Sequence, residues 1–225
     1  MQRQIHDGAT NMTQQLPNEH LATEAKPEHQ QWPLPSRRRF YDRPDFTGQR
    51  GWRPDVKTRH PMILTARIAE HDLIPLDLLR RKHFPPERNF LRAHLTVFYR
   101  LPGEYVDRIL EHLRHTAAGK GAIAATVNGV RHLGAGVAFT VDSPDLNAVR
   151  HGLHRDFVPW LGFQDMQTWR PHITVQNKVS RSDAHRLHDE LLSCFRPRDI
   201  TITGLDLWRY LDGPWALEAT VPLAD

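Results

Sequence analysis

The chain holds a single cysteine, Cys194, among 225 residues, so no internal disulfide can form and no redox or cysteine-ligated metal chemistry is implied. Near the end of an apolar-patterned helical segment, that residue reads as a packing group rather than a nucleophile. No run approaches the roughly eighteen apolar residues of a membrane-spanning helix. The first thirty residues also lack the apolar stretch of a secretory leader, and the expected setting is the cytoplasm, with no membrane partner. A glycine-rich nucleotide fingerprint between a strand and a helix is missing as well. Large net charge is absent too: 30 Lys and Arg face 26 Asp and Glu, leaving +4.

What charge there is lies unevenly. Residues 1–60 carry ten Lys and Arg against seven Asp and Glu, while the remainder is close to neutral. Seven of the 17 prolines fall by Pro61, and no sustained apolar period precedes it. Residues 1–60 are therefore expected to form a disordered basic tail, and residues 61–225 a folded domain. The tail interleaves arginines with Phe40, Tyr41, Phe46 and Trp52, a pattern suited to a single nucleic-acid strand but equally that of a solvated segment. Met62, where strand-like sequence begins at once, is an alternative start for the chain.

From Met62 the pattern is regular, and 39% apolar content is ample for a core. MILTARI, LRAHLTVFYR, AIAATVNGVRHL, GVAFTVDS, WRPHITVQNK, DITITGLDLWRY and ALEATVPL read as strands. Between them LDLLRRKHF reads as a short helix, and Val106, Ile109, Leu110 and Leu113 follow helical spacing. Ser143-Pro144-Asp145 forms a cap for a helix with Leu146, Val149 and Leu153. Ser182 caps one that buries Ala184, Leu187, Leu191 and Phe195. The order is β-α-β-α-β twice, then a last strand. This predicts an α+β fold of two duplicated β-α-β-α-β lobes, with two facing, mainly antiparallel sheets around a central cleft.

The halves also repeat in sequence. Arg92-Ala93-His94-Leu95-Thr96-Val97 and Arg170-Pro171-His172-Ile173-Thr174-Val175 share the form R-x-H-Φ-T-V, 78 residues apart. Strand period projects His94 with Thr96, and His172 with Thr174, from one face. Arg92 and Arg170 lie in phase with them if the strands extend so far, making a site for an anion. Two imidazoles supply a neutral base and a cationic acid near neutral pH, interchangeable at this level, and the hydroxyls can donate to phosphoryl oxygens. The scheme calls for no metal and no cofactor. Phe98, in phase with His94, is a candidate base-stacking ring or a core residue. Lys178 and Gln176, in phase with His172, are candidate phosphate contacts. The pairs His112/His115, His151/His154 and His185/His188 sit at helical spacing but lack the glutamate and third ligand of a metal helix, and read as solvated faces.

The paired H-Φ-T-V motifs, Pro171 before the second and the order of elements resemble the two-histidine phosphoesterase superfamily, and within it the bacterial 2'-5' RNA ligase-like proteins, or RNA 2',3'-cyclic phosphodiesterases. The resemblance spans residues 62–223. Alanine stands where the family has proline before the first motif, and valine replaces leucine after each threonine. The resemblance implies a bilobal fold with His94, Thr96, His172 and Thr174 as catalytic positions, acting without metal on RNA or nucleotide 2',3'-cyclic phosphates or on 2'-5' linkages. A monomer with no obligate protein partner is expected. A phosphodiesterase for small cyclic nucleotides and an RNA-binding module without turnover are the alternative readings.

Overall fold

The computed structural model describes residues 60–223; the expected tail of residues 1–60 lies outside these apart from His60. Seven strands and four helices follow in the order predicted: β1 (Met62–Ile68), α1 (Glu70–His83), β2 (Leu95–Leu101), α2 (Val106–Ala117), β3 (Ile123–His132), β4 (Gly136–Asp142), α3 (Pro144–Phe157), β5 (His172–Asn177), α4 (Arg181–Cys194), β6 (Arg198–Tyr210) and β7 (Trp215–Pro222). Among the described residues no helix is long and apolar enough to cross a membrane.

Local chemistry explains the helix ends. α1 places Glu70 and Asp72 in its first turn and Arg80, Arg81, Lys82 and His83 in its last, complementing the helix dipole at both ends. The Asp72 carboxylate also accepts the Thr201 amide of β6, tying the helix start to the sheet. α3 begins as expected: Ser143 Oγ accepts the Leu146 amide at 3.2 Å and donates to the Ala124 carbonyl at 2.7 Å, with Pro144 at the first position. α4 differs in detail. Its cap is Ser180, which accepts the Asp183 amide at 3.1 Å, while Ser182 lies inside the first turn and bonds the Ser180 hydroxyl. Cys194, at the end of α4, is exposed rather than packed.

All strand pairs are antiparallel, in the order β1-β2-β5-β4-β3-β6-β7, with β1 pairing β6 as well. Where the sequence predicts two separate sheets, the strands form one hydrogen-bonded system, because β6 is long enough to serve both ends. Its Arg198–Ile202 stretch pairs β3, and Ile202–Arg209 pairs β1. The ring closes at the other side through a single register pair, Leu95 with Ile173. Helix residues Ile109, Leu113, Leu146, Leu153 and Leu187 cover the sheet, packing on Leu64, Leu95, Val137, Ile173 and Leu205.

Both motif strands carry a β-bulge directly after the threonine. On β2, Thr65 faces Thr96 but Leu64 faces Phe98, so Val97 is the extra residue. On β5, Ala138 faces Thr174 but Val137 faces Gln176, so Val175 is the extra residue. A bulge resets the alternation of faces. The second also needs the backbones of β4 and β5 to approach closely: a Cβ at Gly136 would overlap the Gln176 carbonyl.

Candidate active site

The register pair Leu95/Ile173 sets the two motifs against each other. In an antiparallel pair it brings His94 opposite Thr174 and Thr96 opposite His172. The four side chains thus gather around one local twofold point, while Leu95 and Ile173 turn into the core, both fully buried. Cross-strand rows extend the arrangement on each side. Thr96 continues through Thr65 and Asp206 to Thr220, and Thr174 through Ala138 to Arg131.

Each histidine is held by the same device. His94 Nδ1 lies 2.8 Å from the Arg92 carbonyl, and His172 Nδ1 lies 2.7 Å from the Arg170 carbonyl. A carbonyl oxygen only accepts, so each Nδ1 carries the proton and each neutral ring presents a bare Nε2 lone pair. Burial, followed by the Arg80 guanidinium and the His172 ring, lowers the His94 pKa to about 4. His94 is consequently neutral at pH 7, with Nε2 ready to accept a proton.

Two buried arginines support the bulges from outside. Arg80 of α1 donates to the Leu91 carbonyl at 3.0 Å, the Asn89 side chain at 2.9 Å and the Thr174 carbonyl at 2.9 Å, with its guanidinium 4.0 Å from the Phe84 ring centre. Arg150 of α3 donates to the Val97 carbonyl at 3.2 Å and the Asp165 carbonyl at 2.8 Å, lying over Phe98 at 4.5 Å. The pattern crosses over: a helix from the first half serves the second motif strand, and a helix from the second half serves the first. A bulge interrupts the ladder and leaves carbonyls without strand partners, which these cations satisfy in the interior. Burial lowers the Arg80 pKa to about 10, which leaves it cationic at neutral pH.

The remaining sequence candidates separate into those near the histidines and those withdrawn from them. Arg92 is not free for an anion, since both terminal nitrogens bond Glu70 and Nε bonds Asp77, at 2.9 to 3.2 Å. The same Asp77 accepts the Ala93 amide at 2.8 Å, so this network fixes the approach to the first motif. Arg170 is exposed, and its guanidinium makes no ion pair or hydrogen bond among the described residues. Phe98 is fully buried, edge-on to Phe157 at 5.5 Å, and no base can reach it. The bulge at Val97 is the reason, for it turns Phe98 to the face of Leu64. The bulge at Val175 likewise buries Gln176. Lys178 follows the end of β5 with a positive φ of 63° and is exposed, out of phase with His172. Of the H-x-x-H pairs, His185 and His188 pack against His132, with ring centres 4.5 and 5.7 Å away, and His112 pairs with Asp156.

Sequence reasoning missed Arg80, Arg150 and Arg131, and it missed Trp208 and Trp215. The two tryptophans stand on β6 and β7 beside a cavity of about 390 Å³ that is walled also by β1, the start of α1 and residues 90–94, His94 included. The Trp215 ring centre is 4.9 Å from that of His94. Trp208 donates its indole N–H to Thr65 Oγ1 at 2.8 Å. A period-two pattern marks Trp208 as opposite in face to the buried Leu205 and Leu207, but only the hairpin pairing brings Trp215 alongside.

Residues 67–214, which include both motifs, match the 2'-5' RNA ligase superfamily. No curated protein gives a significant match. Among solved structures the fold is similar to that of TT0787 of Thermus thermophilus, with TM-score 0.53 and 15% identity over 72% of this chain and 97% of that one. It is also similar to LigT of E. coli in complex with 3'-AMP, with TM-score 0.52 and 16% identity over 74% and 99%. A third structure, described as a phosphoesterase, gives TM-score 0.52 and 15% identity over 74% and 99%. At such identities the likeness is one of fold.

Proposed function

The chain belongs to the 2'-5' RNA ligase superfamily, and from that premise we propose that it is a metal-independent phosphodiesterase that opens RNA 2',3'-cyclic phosphates or cleaves 2'-5' linkages. The observation that carries this reading is the pair of Nδ1–H bonds to the carbonyls two residues upstream, which gives both imidazoles one tautomer and directs both Nε2 atoms to chemistry. In the ring-opening direction His94 Nε2 takes a proton from water as the water oxygen attacks phosphorus. The bond from phosphorus to one ribose oxygen breaks, and His172, protonated at Nε2, gives its proton to that oxygen. The product is a phosphomonoester beside a free hydroxyl, and proton exchange with solvent restores both rings. The neutral state of His94 supports its place as the base. Thr96 and Thr174 hydroxyls donate to the non-bridging oxygens as charge builds, and Arg170 and Arg131 supply positive charge on the second motif's side.

The test is incubation of the full chain with an RNA ending in a 2',3'-cyclic phosphate, in chelator, with chromatographic identification of the product. Opening to one phosphomonoester isomer is expected, with His94→Ala and His172→Ala each reducing the rate by ~10² to 10⁴-fold. Turnover that survives both substitutions, or that stops in chelator, overturns the proposal.

A further inference from the structure

The cavity beside His94 is asymmetric with respect to the two motifs: His94 belongs to its wall and His172 does not. Its volume of about 390 Å³ lies at the low end of small-molecule pockets, a size for one nucleoside rather than for several. Trp208 and Trp215 form an aromatic corner, with ring centres 6.4 Å apart and planes inclined at 54°. Phe90 and Leu217 reach the same cavity while remaining 64% and 54% exposed. Large apolar groups left in water around a concave polar site are what a planar organic ligand would cover. Polar groups sit among them: Asp206 accepts the Thr220 hydroxyl at 2.7 Å through one carboxylate oxygen and stands near Arg67.

Resting on the phosphodiesterase reading above, we propose that this cavity is a nucleobase subsite in which Trp215, backed by Trp208, stacks the base of the nucleotide whose phosphate lies between the histidines. The 4.9 Å approach of Trp215 to His94 makes the subsite continuous with the reacting group. The nucleoside then always lies on the His94 side, and the asymmetry of the cavity breaks the local twofold equivalence of the motifs. Any base offers a π face, so the subsite favours the presence of a base over its identity.

The experiment uses the full chain, Trp215→Ala and Trp215→Phe. Binding of 2'-cytidine monophosphate and of ribose 2-phosphate is measured by calorimetry. Turnover is measured with cytidine 2',3'-cyclic phosphate and with base-free ribose 2,3-cyclic phosphate. Stacking worth what it is in single-strand complexes weakens cytidine monophosphate binding by about 10-fold or more in Trp215→Ala. Trp215→Phe should recover most of it, and the base-free ligand should be unaffected. In turnover the loss should fall on KM for the cytidine substrate. Equal losses for base-bearing and base-free ligands would show that Trp215 acts only through His94, and would overturn the subsite. So would equal affinity of the wild-type chain for the two ligands. Failure of the wild-type chain to turn over these cyclic phosphates and also the RNA ending in a 2',3'-cyclic phosphate refutes the phosphodiesterase reading alone, since the binding comparison still decides the subsite.

Discussion

The neutral state of His94 has a thermodynamic counterpart that can be measured without any substrate. In the folded chain its pKa lies at about 4, against an ordinary value of 6.5. The unfolded chain therefore binds a proton between these values that the folded chain refuses. Stability from this group is complete above pH 6.5, declines as pH falls through the window, and is gone below about pH 4. At about 1.4 kcal/mol per pKa unit the full change amounts to roughly 3 kcal/mol. The perturbation is His94→Gln, which removes the titration. The assay is urea unfolding followed by tryptophan fluorescence at about pH 7, 5.5 and 4, for wild type and variant. Titrating groups that do not interact with His94 cancel in the difference. The wild type should lose roughly 3 kcal/mol relative to the variant between pH 7 and pH 4, and the His94 Cε1–H resonance should titrate near the lower pH. A His94 resonance with its midpoint near 6.5, together with a pH-independent difference, would refute the reasoning.

Three further substitutions, at two positions, separate charge from packing. Arg80→Met removes donors from the Leu91 and Thr174 carbonyls and a positive charge near His94, so it should destabilise the fold by about 3 kcal/mol and raise the His94 pKa in the same NMR titration. Arg80→Lys should keep the His94 midpoint low while still losing stability, because an ammonium retains the charge but not the fork. Phe98→Ala should destabilise by roughly 3–5 kcal/mol in urea unfolding, as for a fully buried aromatic. Any nucleotide affinity lost with it should be no greater for base-bearing than for base-free ligands.

The use of arginine shows how a correct chemical association can point to the wrong partner. The chain's cations are mostly Arg, a composition suited to phosphate. Yet Arg80 and Arg150 are buried on backbone carbonyls, and Arg92 is held by Glu70 and Asp77. Arg131 and Arg170 remain toward the second motif. Nothing local to an arginine distinguishes these fates, which depend on whether a bulged strand or a carboxylate lies within reach.

Element order was legible because it rests on local periods and caps: β-α-β-α-β twice and a closing strand can be read from apolar spacing, Ser143-Pro144 and the turn residues. The duplicated H-Φ-T-V was legible for the same reason, since a two-residue period sets His94 with Thr96 and His172 with Thr174 whatever the strands pair with. What the sequence determined by itself was thus the pair of motifs that make up the candidate site and the face that each presents. Tertiary structure decided what lies around it. The bulges at Val97 and Val175 reversed the phase of Phe98 and Gln176, and a bulge is defined by a partner strand's register rather than by its own residues. The β6–β7 hairpin carried Trp215 to His94 across more than a hundred residues of chain. A strand's own sequence specifies which side chains alternate, but which neighbours they meet depends on hydrogen bonds made with distant strands.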